Sequence, residues 1–108
     1  MTFSESRLSR IAQILVRYSL AVQPGQLVAV MAGVEAIPLV REVYREILRA
    51  GAYPELQLKM DEADEIYLKE ASDEQLSFVS PLKQLINERF DRLLYIGVNG
   101  TRLSSGSA

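Results

Sequence analysis

The sequence predicts an α/β fold, a three-layer sandwich with a small parallel sheet in the order 2-1-3 and flanking helices. Three observations predict it. Leu27–Ala32 and Arg92–Val98 are apolar runs without polar alternation, the pattern of strands covered on both faces of a parallel sheet. Glu55–Met60 alternates cleanly, with Leu56, Leu58 and Met60 expected inward and Glu55, Gln57 and Lys59 outward, which suits an edge strand. Helical periodicities separate the three, so the order α-β-α-β-α-α-β builds βαβ units with right-handed crossovers.

The first helix is expected over about Glu5 to Ser19. Leu8, Ile11, Ala12, Leu15 and Tyr18 make its apolar stripe, and Arg7, Arg10, Gln13 and Arg17 its other face. Ser4 is placed as an N-cap, with Glu5 near the positive end of the helix dipole. Gln23-Pro24-Gly25-Gln26 predicts a type II turn, because proline fixes φ at the first central position and glycine supplies positive φ at the second. After the first strand, a helix near Glu35 to Ala50 carries Pro38 in its first turn and ends on Gly51 as a C′ glycine. Its buried stripe is Leu39, Val40, Val43, Ile47 and Leu48. Arg41, Glu42, Arg45, Glu46 and Arg49 read as a solvated face with Glu42 and Glu46 paired along the helix. A short helix follows over about Glu62 to Ala71, Ser72-Asp73-Glu74-Gln75 is a capping-box sequence, and Ser80-Pro81 opens a helix through Leu82, Leu85, Ile86 and Phe90.

Composition excludes several function classes. The 108 residues make one ordinary domain, and 12 basic against 14 acidic residues leave no basic footprint for nucleic acid or an anionic membrane surface. No apolar run approaches the roughly 18 residues that span a bilayer, and the first residues lack a secretory pattern, so the cytoplasm is the expected compartment. There is no Cys, which removes disulfides, thiolate nucleophiles and zinc–thiolate sites. There is also no His, the commonest general base and transition-metal ligand.

The candidate sites are few. Ala32-Gly33-Val34-Glu35-Ala36-Ile37-Pro38 sits where a phosphate loop would, but lacks the glycine-rich fingerprint and carries a carboxylate. Asp61, Glu62, Asp64 and Glu65 could offer oxygens to a hard cation, yet no calcium-loop spacing accompanies them and a helix start accounts for them. Ser4, Ser72 and Ser80 read as caps, and without His no Ser-based triad of the usual type assembles. Tyr18, Tyr44 and Tyr67 lie on helical stripes, as core or interface residues do. Asn99-Gly100-Thr101-Arg102 follows a strand's carboxyl end, the side where ligands bind, and Arg102 could reach a carboxylate or a partner domain. No residue of the chain is assigned a catalytic, cofactor-binding or metal-binding role.

Several stretches together resemble the thermophilic-type metallo-aminopeptidases, the family of aminopeptidases T and S. They run in order: Tyr18-Ser19-Leu20-Ala21-Val22-Gln23-Pro24-Gly25-Gln26, then Val34 through Tyr44, Ala50-Gly51-Ala52-Tyr53-Pro54-Glu55, and Glu70 through Leu76. The tail Gly100-Thr101-Arg102-Leu103-Ser104-Ser105-Gly106 is similar to a family segment reading Asn-Thr-Arg-Ala-Leu-Ser-Gly. The resemblance implies an α/β N-terminal domain of a usually homodimeric exopeptidase. Such enzymes remove N-terminal residues from peptides with two divalent metal ions of the zinc or cobalt class. The family's Glu, His, Tyr and Asp ligands belong to a later domain, and none carries over onto these positions.

Two readings follow. In the first, residues 1–98 are the α/β N-terminal domain and 99–108 a loop or tail leading toward a missing catalytic domain, so the chain alone is inactive. In the second, the chain is a free-standing α/β binding or interaction module. The first is preferred on the family resemblance.

Overall fold

The computed structural model describes residues 5–97 and 100–105. β1 (Leu27–Gly33) is the central strand, and its five middle residues are all buried. It pairs in parallel with β2 (Tyr53–Lys59) on one side and with β3 (Arg92–Gly97) on the other. The 2-1-3 order and the edge position of β2 are as the sequence predicts. A fourth strand, β4 (Gly100–Ser105), adds antiparallel to β3, with Leu94 opposite Leu103 and Gly97 opposite Gly100. The reading of 99–108 as a loop or tail is corrected for these residues. Pairing with the free edge of β3 needs only backbone donors and acceptors, so a Ser- and Gly-rich segment with little strand propensity can still supply it. β4 is also the further neighbour that β3 requires.

One face of the sheet carries the main core. Val28, Val30, Ala32, Leu94 and Ile96 meet Val40, Val43 and Ile47 of α2 (Ile37–Arg49) and Ala12, Val16 and Leu20 from the first helical segment. Each such large apolar side chain contributes about 1.5–3 kcal/mol when fully buried. The first segment begins as α1 (Glu5–Gln13) and continues as a π-helical stretch, Ile14–Ser19. The Leu20 N–H bonds the Leu15 carbonyl at 2.8 Å, five residues back. This wider turn brings Val16 and Leu20 under the segment and leaves Tyr18 79 % exposed. Tyr18 therefore does not belong to the buried stripe.

The chain reversals follow the local chemistry. Gly25 adopts φ 82°, and Gln26 N–H bonds the Gln23 carbonyl at 3.2 Å, as the type II turn requires. Gly51 adopts φ 80° and ends α2 in a Schellman motif, with Ala52 N–H on the Ile47 carbonyl and Gly51 N–H on the Leu48 carbonyl. Asp91 brackets the start of β1: its carboxylate accepts from Leu27 N–H at 2.8 Å, and its own N–H bonds the Leu27 carbonyl at 2.9 Å. The neighbouring Arg92 Nε donates to the Leu20 carbonyl at 2.8 Å and ties β3 to the end of the first segment.

The opposite face is thinly covered. Among the described residues, Ala29, Met31 and Leu93 form a small buried cluster with Ile86 of α5 (Pro81–Arg89) and the half-buried Phe90 at its end. Leu82 and Leu85, expected in the stripe of this helix, stay exposed. Every residue of α3 (Asp61–Glu70) is exposed, as is every residue of the short α4 (Asp73–Leu76). The Cα radius of gyration is 15.1 Å, against about 13 Å for a compact chain of this length. The second helical layer exists, but spreads away from the sheet it would cover.

Candidate functional site

Ligands of open α/β sheets bind beyond the carboxyl ends of the strands, and three features lie toward that end. β1 runs through Gly33 directly into a 3-10 turn, Val34–Ala36, and then into α2, with Pro38 in its first turn. A Cβ at Gly33 would meet only the tip of the flexible Glu35 side chain, whose carboxylate folds back over the end of β1. The place a phosphate would take at a helix start is thus covered by a negative charge. A nucleotide loop is not built here.

The carboxylates Asp61, Glu62, Asp64 and Glu65 occupy the first turns of α3. All four are exposed, and Glu65 pairs with Lys69 at 3.0 Å. Among the described residues no three His, Cys, Asp or Glu side chains group closely enough to hold a metal ion. With neither His nor Cys in the chain, the donors present do not fit a pair of catalytic divalent ions, and no metal-dependent step is routed through these residues.

Two of the predicted caps, Ser72 and Ser80, sit where the sequence places them. Ser72 Oγ accepts from Gln75 N–H at 3.1 Å while Gln75 Oε1 accepts from Ser72 N–H at 2.9 Å, a complete capping box. Ser80 Oγ accepts from Lys83 N–H at 3.3 Å. Ser4 and Asn99 lie outside the described residues. Arg102 stands in β4 opposite Tyr95, with its side chain outside the described residues. Of the tyrosines, Tyr44 and Tyr67 are exposed like Tyr18, and the Tyr67 hydroxyl donates to the Gln75 carbonyl, fastening α3 to α4.

What the structure does gather is apolar surface. One groove, about 640 Å³, runs between α2 and β2 and is lined by Val40, Tyr44, Leu48, Pro54, Leu56 and Leu58. Leu48 is 53 % exposed, Leu56 39 % and Leu58 45 %, and Met60 beyond them is 52 % exposed. The expectation that Leu48, Leu56, Leu58 and Met60 are buried is corrected: α2 covers the β1 side of the sheet and leaves the edge open. A second hollow of about 470 Å³ between α3 and α4 is lined by Ile66, Tyr67 and Phe78. A third, about 310 Å³, lies between α5 and the carboxyl ends of the strands, beside Met31, Lys59, Lys83 and Tyr95. The sequence reading missed these surfaces, because the alternation of Leu56 and Leu58 in β2 and the short run Ile66-Tyr67-Leu68 in α3 read equally as buried faces.

The sequence as a whole matches the model of one protein family, the thermophilic metalloproteases (M29), over residues 4–105. The chain belongs to that family. Among solved structures it is similar to wild-type AmpT from Thermus thermophilus, with 27 % identity and a TM-score of 0.56 over 66 % of this chain. The match spans 18 % of the AmpT chain, so the present chain corresponds to a minor part of that relative's length. No curated protein matches it. No helix among the described residues is long and apolar enough to cross a membrane.

Proposed function

We propose that this chain is the N-terminal scaffold domain of a cytoplasmic, dinuclear metal-dependent aminopeptidase that removes N-terminal residues from peptides, and that it is inactive by itself. Family membership over residues 4–105 carries the reading. The donor set supports the division of labour, because the sequence has no His or Cys and, among the described residues, no three acidic side chains group to hold a metal ion. The open sheet face and the exposed α3 and α4 support it as well, since surface of this kind is where a further domain of the same enzyme would pack. In the whole enzyme this domain would shape the substrate chamber, while the metal-bearing part polarises the peptide carbonyl and activates water. The parent is expected to act as a homodimer.

Calorimetric titration of the purified chain with zinc and with cobalt, alongside a dipeptide hydrolysis assay, tests this. The expected result is no stoichiometric metal binding and no release of amino acids. Micromolar metal affinity at a defined ratio together with peptidase turnover would overturn it.

A further inference from the structure

We propose that β2 is a self-complementary edge that pairs antiparallel with β2 of a second copy of this chain, about a two-fold axis at Gln57. This names the strand behind the homodimer of the preceding reading and rests on that reading only in the choice of partner.

The direction of the backbone groups comes first. Tyr53 N–H bonds the Gln26 carbonyl at 2.8 Å, on the β1 side. Backbone groups alternate in direction along a strand paired on one side, so Tyr53, Glu55, Gln57 and Lys59 turn theirs toward β1. Pro54, Leu56 and Leu58 turn theirs outward, where β2 has no neighbour. The one missing N–H of the strand, at Pro54, therefore falls on the open edge and costs the β1 ladder nothing.

The side chains then select the register. With the axis at Gln57, Glu55 stands opposite Lys59 of the second copy, and Lys59 opposite its Glu55. Both are exposed, and neither has a hydrogen-bond or ion-pair partner among the described residues. Leu56 stands opposite Leu58, and their outward N–H and carbonyl groups exchange hydrogen bonds as a narrow antiparallel pair. Pro54 comes opposite Met60, whose backbone is still extended at φ −114° and ψ 134°. There the Pro54 carbonyl accepts from Met60 N–H. Met60 offers its own carbonyl to Ala63 N–H instead, so the absent proline N–H leaves no acceptor wanting.

Proline and charges on an edge strand ordinarily prevent pairing. Here the charges disfavour two competing registers. An axis at Glu55 or at Lys59 sets like charges against each other, which is unfavourable for directly opposed residues. In the Gln57 register the two α2–β2 grooves also become continuous, and Leu56, Leu58 and the exposed Tyr44 and Leu48 gain apolar cover.

A charge-swap series measured by sedimentation velocity tests the proposal, with circular dichroism to confirm that each variant is folded. The wild-type chain is expected to dimerise reversibly, with the Leu56 and Leu58 amides protected from hydrogen exchange in the dimer. Lys59→Glu and Glu55→Lys should each weaken self-association at least about tenfold, because each places like charges opposite one another twice. An equimolar mixture of these two variants should form a heterodimer, and the double variant Glu55→Lys/Lys59→Glu should recover the homodimer. A wild-type chain that stays monomeric, single reversals that dimerise as the wild type does, or a mixture that fails to associate would each overturn it. None of these outcomes bears on metal binding or peptidase turnover, so this proposal and the reading above fail separately.

Discussion

Arg17 Nε lies 3.0 Å from Glu46 Oε1, and this ion pair joins the π-helical stretch to α2 across a carboxylate that is only 5 % exposed. Arg49 approaches the other oxygen of Glu46 at 3.5 Å from one turn further along α2. Glu46 reads in the sequence as part of a solvated face together with Arg41, Glu42, Arg45 and Arg49. Its burial comes from the first helical segment lying across α2. Glu42, one turn earlier on α2, has a side chain 14 % exposed and pairs with Arg45 at 3.1 Å.

Removing Arg17 should therefore hurt more than removing a surface arginine. Arg17→Met leaves the buried Glu46 with one distant partner, and is expected to lower stability by about 1–2 kcal/mol. The figure stays below that for a fully enclosed pair because the Arg17 side chain is itself 41 % exposed. Adding Glu46→Leu to that background should recover most of the loss, since the uncompensated charge is then gone. Urea unfolding of the wild type and both variants checks this, and a double variant weaker than the single one would refute it.

The same pair shows which parts of the fold the sequence makes legible. β1 and β3 are legible because strands covered on both faces leave no polar alternation, and Ser72 and Ser80 because caps act within a few residues. Glu46 is not, because its environment is set by a segment 29 positions away. β4 is not, because antiparallel pairing to β3 uses backbone groups that Ser and Gly possess like any residue. Leu56 and Leu58 carry the correct edge-strand alternation, but how far α2 extends over them is a property of packing. The acidic cluster at Asp61–Glu65 is legible as a helix start and nothing more, since its members point around an exposed helix.

Gly25 N–H donates to the Gly51 carbonyl at 2.9 Å, so two positive-φ glycines meet where the type II turn passes the end of α2. Alanine should cost about 1–2 kcal/mol at either from the left-handed backbone alone. At Gly51 a Cβ would also stand 3.3 Å from Pro24 Cβ, whereas at Gly25 nothing lies within 4 Å. Gly51→Ala should consequently destabilise more than Gly25→Ala in parallel urea titrations. Equal losses would show that the contact with Pro24 relaxes freely.

Ala21 presents the reverse case. It is the one described non-glycine residue with positive φ, at 50°, directly after the π-helical stretch. Glycine relieves the left-handed penalty of the Cβ, offset in part by the greater freedom it gives the unfolded chain. Ala21→Gly is expected to stabilise by about 0.5–1 kcal/mol, read as a higher melting temperature. A lower one would mean that the surrounding hydrogen bonds, including Gln23 Nε2 to the Ala21 carbonyl at 3.2 Å, leave no strain to release.

The two helical layers should respond unequally to truncation of the same side chain. Leu94 is fully buried between β1 and β4, against the core that α1 and α2 close. Leu94→Ala should cost about 2–5 kcal/mol, because transfer and cavity terms add in a site that cannot collapse. Leu68 on α3 is 73 % exposed, and Leu68→Ala should stay within about 0.5 kcal/mol of the wild type. If α3 belonged to the folded core of this chain, the second substitution would approach the first in urea unfolding. A near-neutral result instead marks Leu68 as surface that contributes little to the stability of these residues by themselves.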